Sequence, residues 1–464
     1  MKIFNKSVIA LFALVVPMLS NSCAQNKAVK TFNVRDYGAV GNGITDDYAA
    51  IQKCFDDAIK INDAKVLFPG GKYSISKGLV AQYINNNLEI SGSISKGILP
   101  VIICKNPVSA LSIRGYFDPK ALGTVKINNL KIQGGFAKYP YSKLNAFINK
   151  KQWFTGLSIT DKREITINNV VVSDFYGEGI YISSTQQTNI PLTARAQHVT
   201  ITNSKVLNCW GFNPAADDYG DGIYLSNVAA AVIRNNTVKN DFNTTKQLGR
   251  CGIVLEFMSE DCIVQKNQIF GYDRGLHLEA DYGGHVIDGN SISGSDMGIV
   301  LYNTAIAGHN KPVKIINNTV SNTGFPKGTA LKRTRDITAI SDRSLMNFVA
   351  LDNCRSGSLI QNNSFIISGD YDYFSNTIVN IKAEQLLIKN NRYSVLKANR
   401  LKYPILYNNY SKSVPVGDAF IGVQSLKFRK ANLSSGAEKI RAQNKLNTTQ
   451  IALDLQVQVK YEQD

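Results

Sequence analysis

Five windows of the chain share one pattern. Gly179 is followed by Ile-Tyr-Ile, Gly222 by Ile-Tyr-Leu, Gly252 by Ile-Val-Leu, Gly275 by Leu-His-Leu and Gly298 by Ile-Val-Leu, at spacings of 43, 30, 23 and 23 residues. A second ladder runs between them through Asn169, Asn203, Asn236, Asn267, Asn290 and Asn318, each at the end of a short apolar run. Short alternating apolar runs closed by Gly or Asn read as strands and turns. Asn tolerates left-handed backbone and bonds locally, which suits a turn used repeatedly. Units of roughly 20–30 residues point to a solenoid. The consistent architecture is all-β, a parallel β-helix.

In such a stack equivalent positions lie one above another at about 4.8 Å per rung. The first and third residues after each glycine are Ile or Leu in all five windows and face the core. Side chains alternate along a strand, so the second and fourth residues face out. The second column is Tyr181, Tyr224, Val254, His277 and Val300; the fourth is Ser183, Ser226, Glu256, Glu279 and Tyr302. Glu256 and Glu279 are therefore expected on consecutive rungs. Asp281 keeps the outward parity if the strand runs two residues past Glu279. Asp221 and Arg274 stand at strand entrances, just before their glycines. Like charges stacked on neighbouring strands are destabilising. Acids gathered there, beside a column that turns from Tyr to His, point to an active site.

The remaining chain frames this stretch. Residues 1–23 have a basic start (Lys2, Lys6) and a short apolar core, too short for an ordinary membrane span, and end in Leu-Ser-Asn-Ser-Cys23. That ending resembles a bacterial lipoprotein signal, which implies lipidation at Cys23 and an exported, surface-anchored or secreted chain. Thr45 suits a helix N-cap and Asp46 and Asp47 a first turn, before an apolar face of Tyr48, Ile51, Phe55, Ala58 and Ile59. This helix is expected to cap the open end of the stack. Lys65–Ser76 reads as strand, turn, strand. Six cysteines follow the signal without metal spacing; most are expected as small buried residues of the stack, with Cys251 and Cys262 the pair that could bridge in an oxidising compartment. The formal net charge of +17 attracts polyanions. In an exported protein that points to an anionic polysaccharide and away from nucleic acid. Phe136–Trp153 mixes aromatics with Lys143, Lys150 and Lys151, a composition suited to an anionic sugar chain. The catalytic domain is expected over residues 30–410, with 411–464 as a capping tail and Ser434–Asn447 helical. A monomer is expected.

The segment FNVRDYGAVGNGITDD, followed by VLFPGGKYSIS, resembles the N-terminal signature of pectate-lyase-like β-helix proteins. That superfamily includes polygalacturonases, alginate epimerases and ι-carrageenases, and the resemblance implies a right-handed helix. The Gly-His-Gly of polygalacturonases and the Asp-Pro-His-Glu of alginate epimerases are absent, and Asp217-Asp218 only echoes the former. The chain is most similar to the ι-carrageenases, glycoside hydrolase family 82, which are inverting and carry Glu-x-Asp on one strand. Glu279-Ala-Asp281 matches by type and spacing. The family places a polar side chain one rung earlier, where Glu256 stands, and uses a supporting His, for which His309 and His277 are candidates.

The resemblance implies Glu279 as general acid and Asp281 as general base, with Glu256 tuning Glu279 or holding water. Inverting pairs need about 6.5–9.5 Å between carboxyls, and residues two apart on a strand are about 6.6–6.8 Å apart. His277 and Arg274 are expected to bind sulfate or position the base, and Asp221, Tyr224, Tyr302 and His309 to bind substrate. No cofactor or catalytic metal is required; Ca or Na in loops is the fold's usual ion content. The expected activity is inverting hydrolysis of a sulfated galactan, ι-carrageenan first. The alternatives are a lyase on a uronate polymer, with Arg274, Tyr272 or His277 as base, and a non-catalytic glycan-binding surface protein.

Overall fold

The computed structural model describes residues 29–461 apart from 83–85, 116–122, 139–151, 185–194, 212–219, 242–247, 296, 303–310, 323–346, 353–354, 369–376, 383–385, 397–404, 410–415, 422–424 and 430–457. Cys23, Lys143, Lys150, Lys151, Asp217, Asp218, His309, Cys354 and the stretch Ser434–Asn447 lie outside the described residues.

The chain winds as a right-handed parallel β-helix. One wall is a 13-stranded sheet, and the rest of the wall is a 23-stranded sheet. The strands of the smaller sheet that matter for the site are β1 (Leu157–Thr160), β2 (Ile180–Ser183), β3 (Ile223–Ser226), β4 (Gly249–Glu256), β5 (Tyr272–Glu279) and β6 (Met297–Tyr302). Each pairs in parallel with the next, in the register read from the glycine columns: Ile180 on Ile223, Ile223 on Ile253, Ile253 on Leu276 and Leu276 on Ile299. This inward column is essentially unexposed. Burying an aliphatic side chain contributes roughly 1.5–3 kcal/mol, so the repeated Ile and Leu supply the driving force for stacking.

The asparagine ladder holds with a one-residue correction. Asn169 and Asn203 do occupy left-handed turns (φ 53° and 50°), but on later rungs that place falls to Asn235, Lys266, Gly289 and Asn317. Asn236, Asn267, Asn290 and Asn318 come one residue later and point inward. Each amide Nδ2 donates across the rungs, as Asn290 does to the Val264 carbonyl at 2.8 Å and to Asn318 Oδ1 at 3.0 Å. The ladder continues through Asn363 and Asn391 and ends on Asp418, whose Oδ1 accepts from the Asn391 amide at 2.8 Å.

The helix α1 (Tyr48–Ala58) buries Ile51, Cys54, Phe55 and Ala58. Thr45 is not its cap: Thr45 belongs to the strand Asn42–Asp46, and the cap position is Asp47. The Asp46 carboxylate accepts from the Tyr48 and Ser76 amides, and Asp47 accepts from Val40 and Gly41. Both aspartates thus tie the helix start to the first strands. The described cysteines are buried as expected, and Cys251 and Cys262 are thiols with no disulfide between them. The stack also runs past residue 410. Ala419–Ile421 pairs with Arg392–Leu396, and Ser425–Arg429 pairs with Ile405–Asn409. Among the described residues no helix is long and apolar enough to cross a membrane.

Candidate active site

The outward columns of β1–β5 open into a groove of about 510 Å³ lined by Trp153, Thr155, Ser158, Glu178, Tyr181, Tyr224, Arg250, Glu256, Phe257 and Glu279. The parity argument holds here: Tyr181 lies on Tyr224, Val254 on His277, and Glu256 on Glu279. The Tyr181 and Tyr224 rings stack at 5.1 Å with planes 3° apart.

Glu256 is a strongly perturbed carboxyl of the groove. Its side chain is 9% exposed. Burial raises it to about 7, and the Asp221 and Glu279 charges push the same way. Arg250 and the Tyr224 hydroxyl pull it back. Tyr224 donates to Oε2 at 3.0 Å, and Arg250 Nη2 lies 3.8 Å from Oε1. Glu279, one rung on, keeps 41% of its side chain exposed and meets His277 Nε2 at 2.8 Å. His277 is buried, and that burial, with Arg274 and Arg250 nearby, lowers its pKa despite Glu279. Its Nδ1 has no hydrogen-bond partner among the described residues. A buried N–H without acceptor is costly, so Nδ1 is the bare nitrogen and Nε2–H donates to Glu279.

Arg250 and Asp221 form a buried fork. Arg250 Nε and Nη2 donate to the two Asp221 oxygens at 2.9 and 2.6 Å, and the Cys251 amide adds a third bond at 3.0 Å. Asp221 is therefore the anchor of Arg250 and not a substrate contact, fully buried beneath it. Arg274 is buried too, with its Nη1 3.8 Å from Cys251 Sγ. Arg250, two residues before Gly252, is the cation that lines the groove.

Asp281 departs from its expected place. The strand β5 ends at Glu279, and Ala280 takes φ 50°, so the alternation stops there. Asp281 turns into the protein, fully buried. Its Oδ1 accepts from the Gly283 amide at 2.7 Å and from His285 Nε2 at 3.0 Å. The Cys262 amide donates to His285 Nδ1 at 3.2 Å, which puts the imidazole proton on Nε2, facing Asp281. This pair holds a turn and does not line the groove. Tyr272 is likewise buried and donates to the Cys209 carbonyl at 2.9 Å. Tyr302 is 44% exposed and lies beside Glu279 in register.

Glu256, His277 and Glu279 each present one donor atom, all within 4.8 Å of one another, a spacing that also suits a cation. Metal-bound imidazoles almost always donate their second N–H to an acceptor. His277 Nδ1 meets none among the described residues. One oxygen of each glutamate lies inside that 4.8 Å.

The family model for rhamnogalacturonase A/epimerase, pectate lyase-like, matches residues 31–300. The chain is 30% identical over 191 residues to plasmin and fibronectin-binding protein A of Streptococcus pneumoniae, covering 38% of this chain and 24% of that protein. It is 45% identical over 47 residues to mannuronan C5-epimerase AlgE5 of Azotobacter vinelandii, covering 10% of this chain and 5% of the epimerase. The matches thus span at most about a quarter of these relatives. Among solved structures, the A-module of Azotobacter vinelandii mannuronan C-5 epimerase AlgE6 superposes with a TM-score of 0.52 at 16% identity, over 84% of this chain and 99% of that one. That likeness carries the fold.

Proposed function

The chain belongs to the rhamnogalacturonase A/epimerase, pectate lyase-like family, and on that footing we propose that it is a polysaccharide-cleaving enzyme, a hydrolase with Glu256 as general acid and Glu279 as the opposing carboxylate. One observation carries the reading: a buried carboxyl raised to about 7 sits one rung from a half-exposed carboxylate in an open aromatic groove. A carboxyl still protonated near neutral pH can deliver its proton to a glycosidic oxygen. His277 holds Glu279 through Nε2–H and keeps it aimed. Glu279 is placed to activate a water or to attack directly, and the first-formed anomer distinguishes the two.

The substrate proposed is an anionic polysaccharide, with ι-carrageenan the first candidate. The formal net charge of +17 supports that class. The enzyme is proposed to act outside the cell, secreted or held by a lipid on Cys23, as a monomer without cofactor.

A second reading, lyase or epimerase chemistry on a uronate polymer, draws on the similarity to a mannuronan C5-epimerase. Of its candidate bases His277 lies behind the groove-lining Glu279, to which it is hydrogen-bonded; Tyr272 and Arg274 are buried in structural contacts.

The test follows reducing ends and ultraviolet absorbance together on carrageenans, alginate, pectate and chondroitin sulfate. New reducing ends without absorbance support the hydrolase, and retained configuration in the first-formed anomer supports Glu279 as nucleophile. Absorbing unsaturated products move the chemistry to the second reading.

A further inference from the structure

Strands β1, β3, β4 and β5 are each followed directly by a residue with positive φ: Asp161 at 54°, Asn227 at 56°, Phe257 at 42° and Ala280 at 50°. Asp and Asn enter this region readily, whereas for a bulky residue it is an outlier. Phe257 is locked in by its neighbours: its amide donates to the Glu279 carbonyl at 3.1 Å, and its carbonyl accepts from Asn227 at 2.9 Å. Its ring gains little burial in exchange. It remains 40% exposed and lines the groove directly after Glu256. Strain of this kind persists where the surroundings over-determine it, and it collects at ligand clamps. Toward the first rung, Trp153 lines the same groove and is 49% exposed. Four rung steps separate the first and last strands of the groove, about 19 Å at the usual spacing.

We propose that Phe257 and Trp153 are two aromatic platforms of a sugar-binding cleft. Phe257 stacks on the C–H face of the ring next to the Glu256–Glu279 pair, and Trp153 stacks on a ring farther along the chain. The ligand class is a linear glycan with an unsubstituted pyranose face at these two positions, whatever charge its other face bears. The inference rests on the glycan-cleaving reading and adds the residues that hold the substrate in register.

The experiment uses Glu256→Gln, which keeps polymer intact, and adds Phe257→Asn or Trp153→Ala to it. Each protein is run through affinity gels containing ι-carrageenan, alginate, polygalacturonate or agarose, and its melting temperature is measured. The expected result is retardation of Glu256→Gln by at least one polymer, weakened roughly threefold or more by either second change. Phe257→Asn is expected to raise the melting temperature or leave it unchanged, because Asn accepts the left-handed turn. Equal retardation with and without Phe257 overturns the proposal. So does weaker retardation accompanied by a lower melting temperature, which would make the ring a packing element, and so does a failure of every polymer to retard Glu256→Gln. Turnover by Glu256→Gln would sink the acid assignment and leave the platforms standing, so the two failures are distinguishable.

Discussion

The Tyr224 hydroxyl donates to Oε2 of Glu256 across 3.0 Å, on the rung just before it. The bond favours the ionised carboxylate, so it moderates a pKa that burial has already raised to about 7. An acid of that kind must be protonated to work. Activity is therefore expected to fall as pH rises through about 7. Tyr224→Phe should move that fall to higher pH. A pH–rate profile checks both, and a limb unmoved by the substitution would remove Tyr224 from the tuning.

Asp221→Asn strips the counter-charge from a buried guanidinium. Breaking such a pair costs roughly 3–5 kcal/mol. Asp221 also raises Glu256, while Arg250 lowers it, so the alkaline limb should move down in pH in whatever protein still folds. Denaturant midpoints and the pH profile measure the two effects separately.

Asp281 and Glu279 should separate cleanly. Asp281→Asn is expected to lower stability by about 1–3 kcal/mol through the disturbed His285 and Gly283 bonds, with turnover retained at low temperature. Glu279→Gln should keep the fold and lose turnover. Loss of turnover with unchanged stability in Asp281→Asn would restore the strand-partner assignment.

These contrasts show what the sequence could carry. Alternation from Gly252 and Gly275 places Glu256, His277 and Glu279 correctly, because inside a strand side-chain direction depends only on parity. It fails for Asp281 because the left-handed Ala280 resets direction, and Ala does not announce such a turn as Gly or Asn does. Asp221 and Arg274, just before their glycines, are buried, whereas Arg250 lines the groove; alternation does not carry through the glycines, whose own Cβ positions face core residues. The asparagine ladder was legible as a repeat, but the split between turn Asn235 and internal Asn236 was not, since both are the same residue type in adjacent places.

The far end of that ladder carries a pH-dependent cost. Burial raises Asp418 to about 6, against an ordinary 3.8. A carboxyl raised in the folded state binds more protons there than when unfolded, so its contribution is complete below the unfolded pKa and is lost as pH rises. Stability of the last rungs should decline between about pH 4 and 6. Asp418→Asn should flatten that decline by extending the amide ladder. Hydrogen exchange in Arg392–Leu396 across this range is the check.

The most direct test of the central claim is the turnover of Glu256→Gln on the polymer the native chain cleaves, with folding confirmed by circular dichroism. The amide keeps the shape and the Tyr224 bond but has no proton to deliver at neutral pH. Loss of about 10²–10⁴ in rate with an intact fold is the predicted result. Turnover within a few fold of the native chain would contradict Glu256 as the acid.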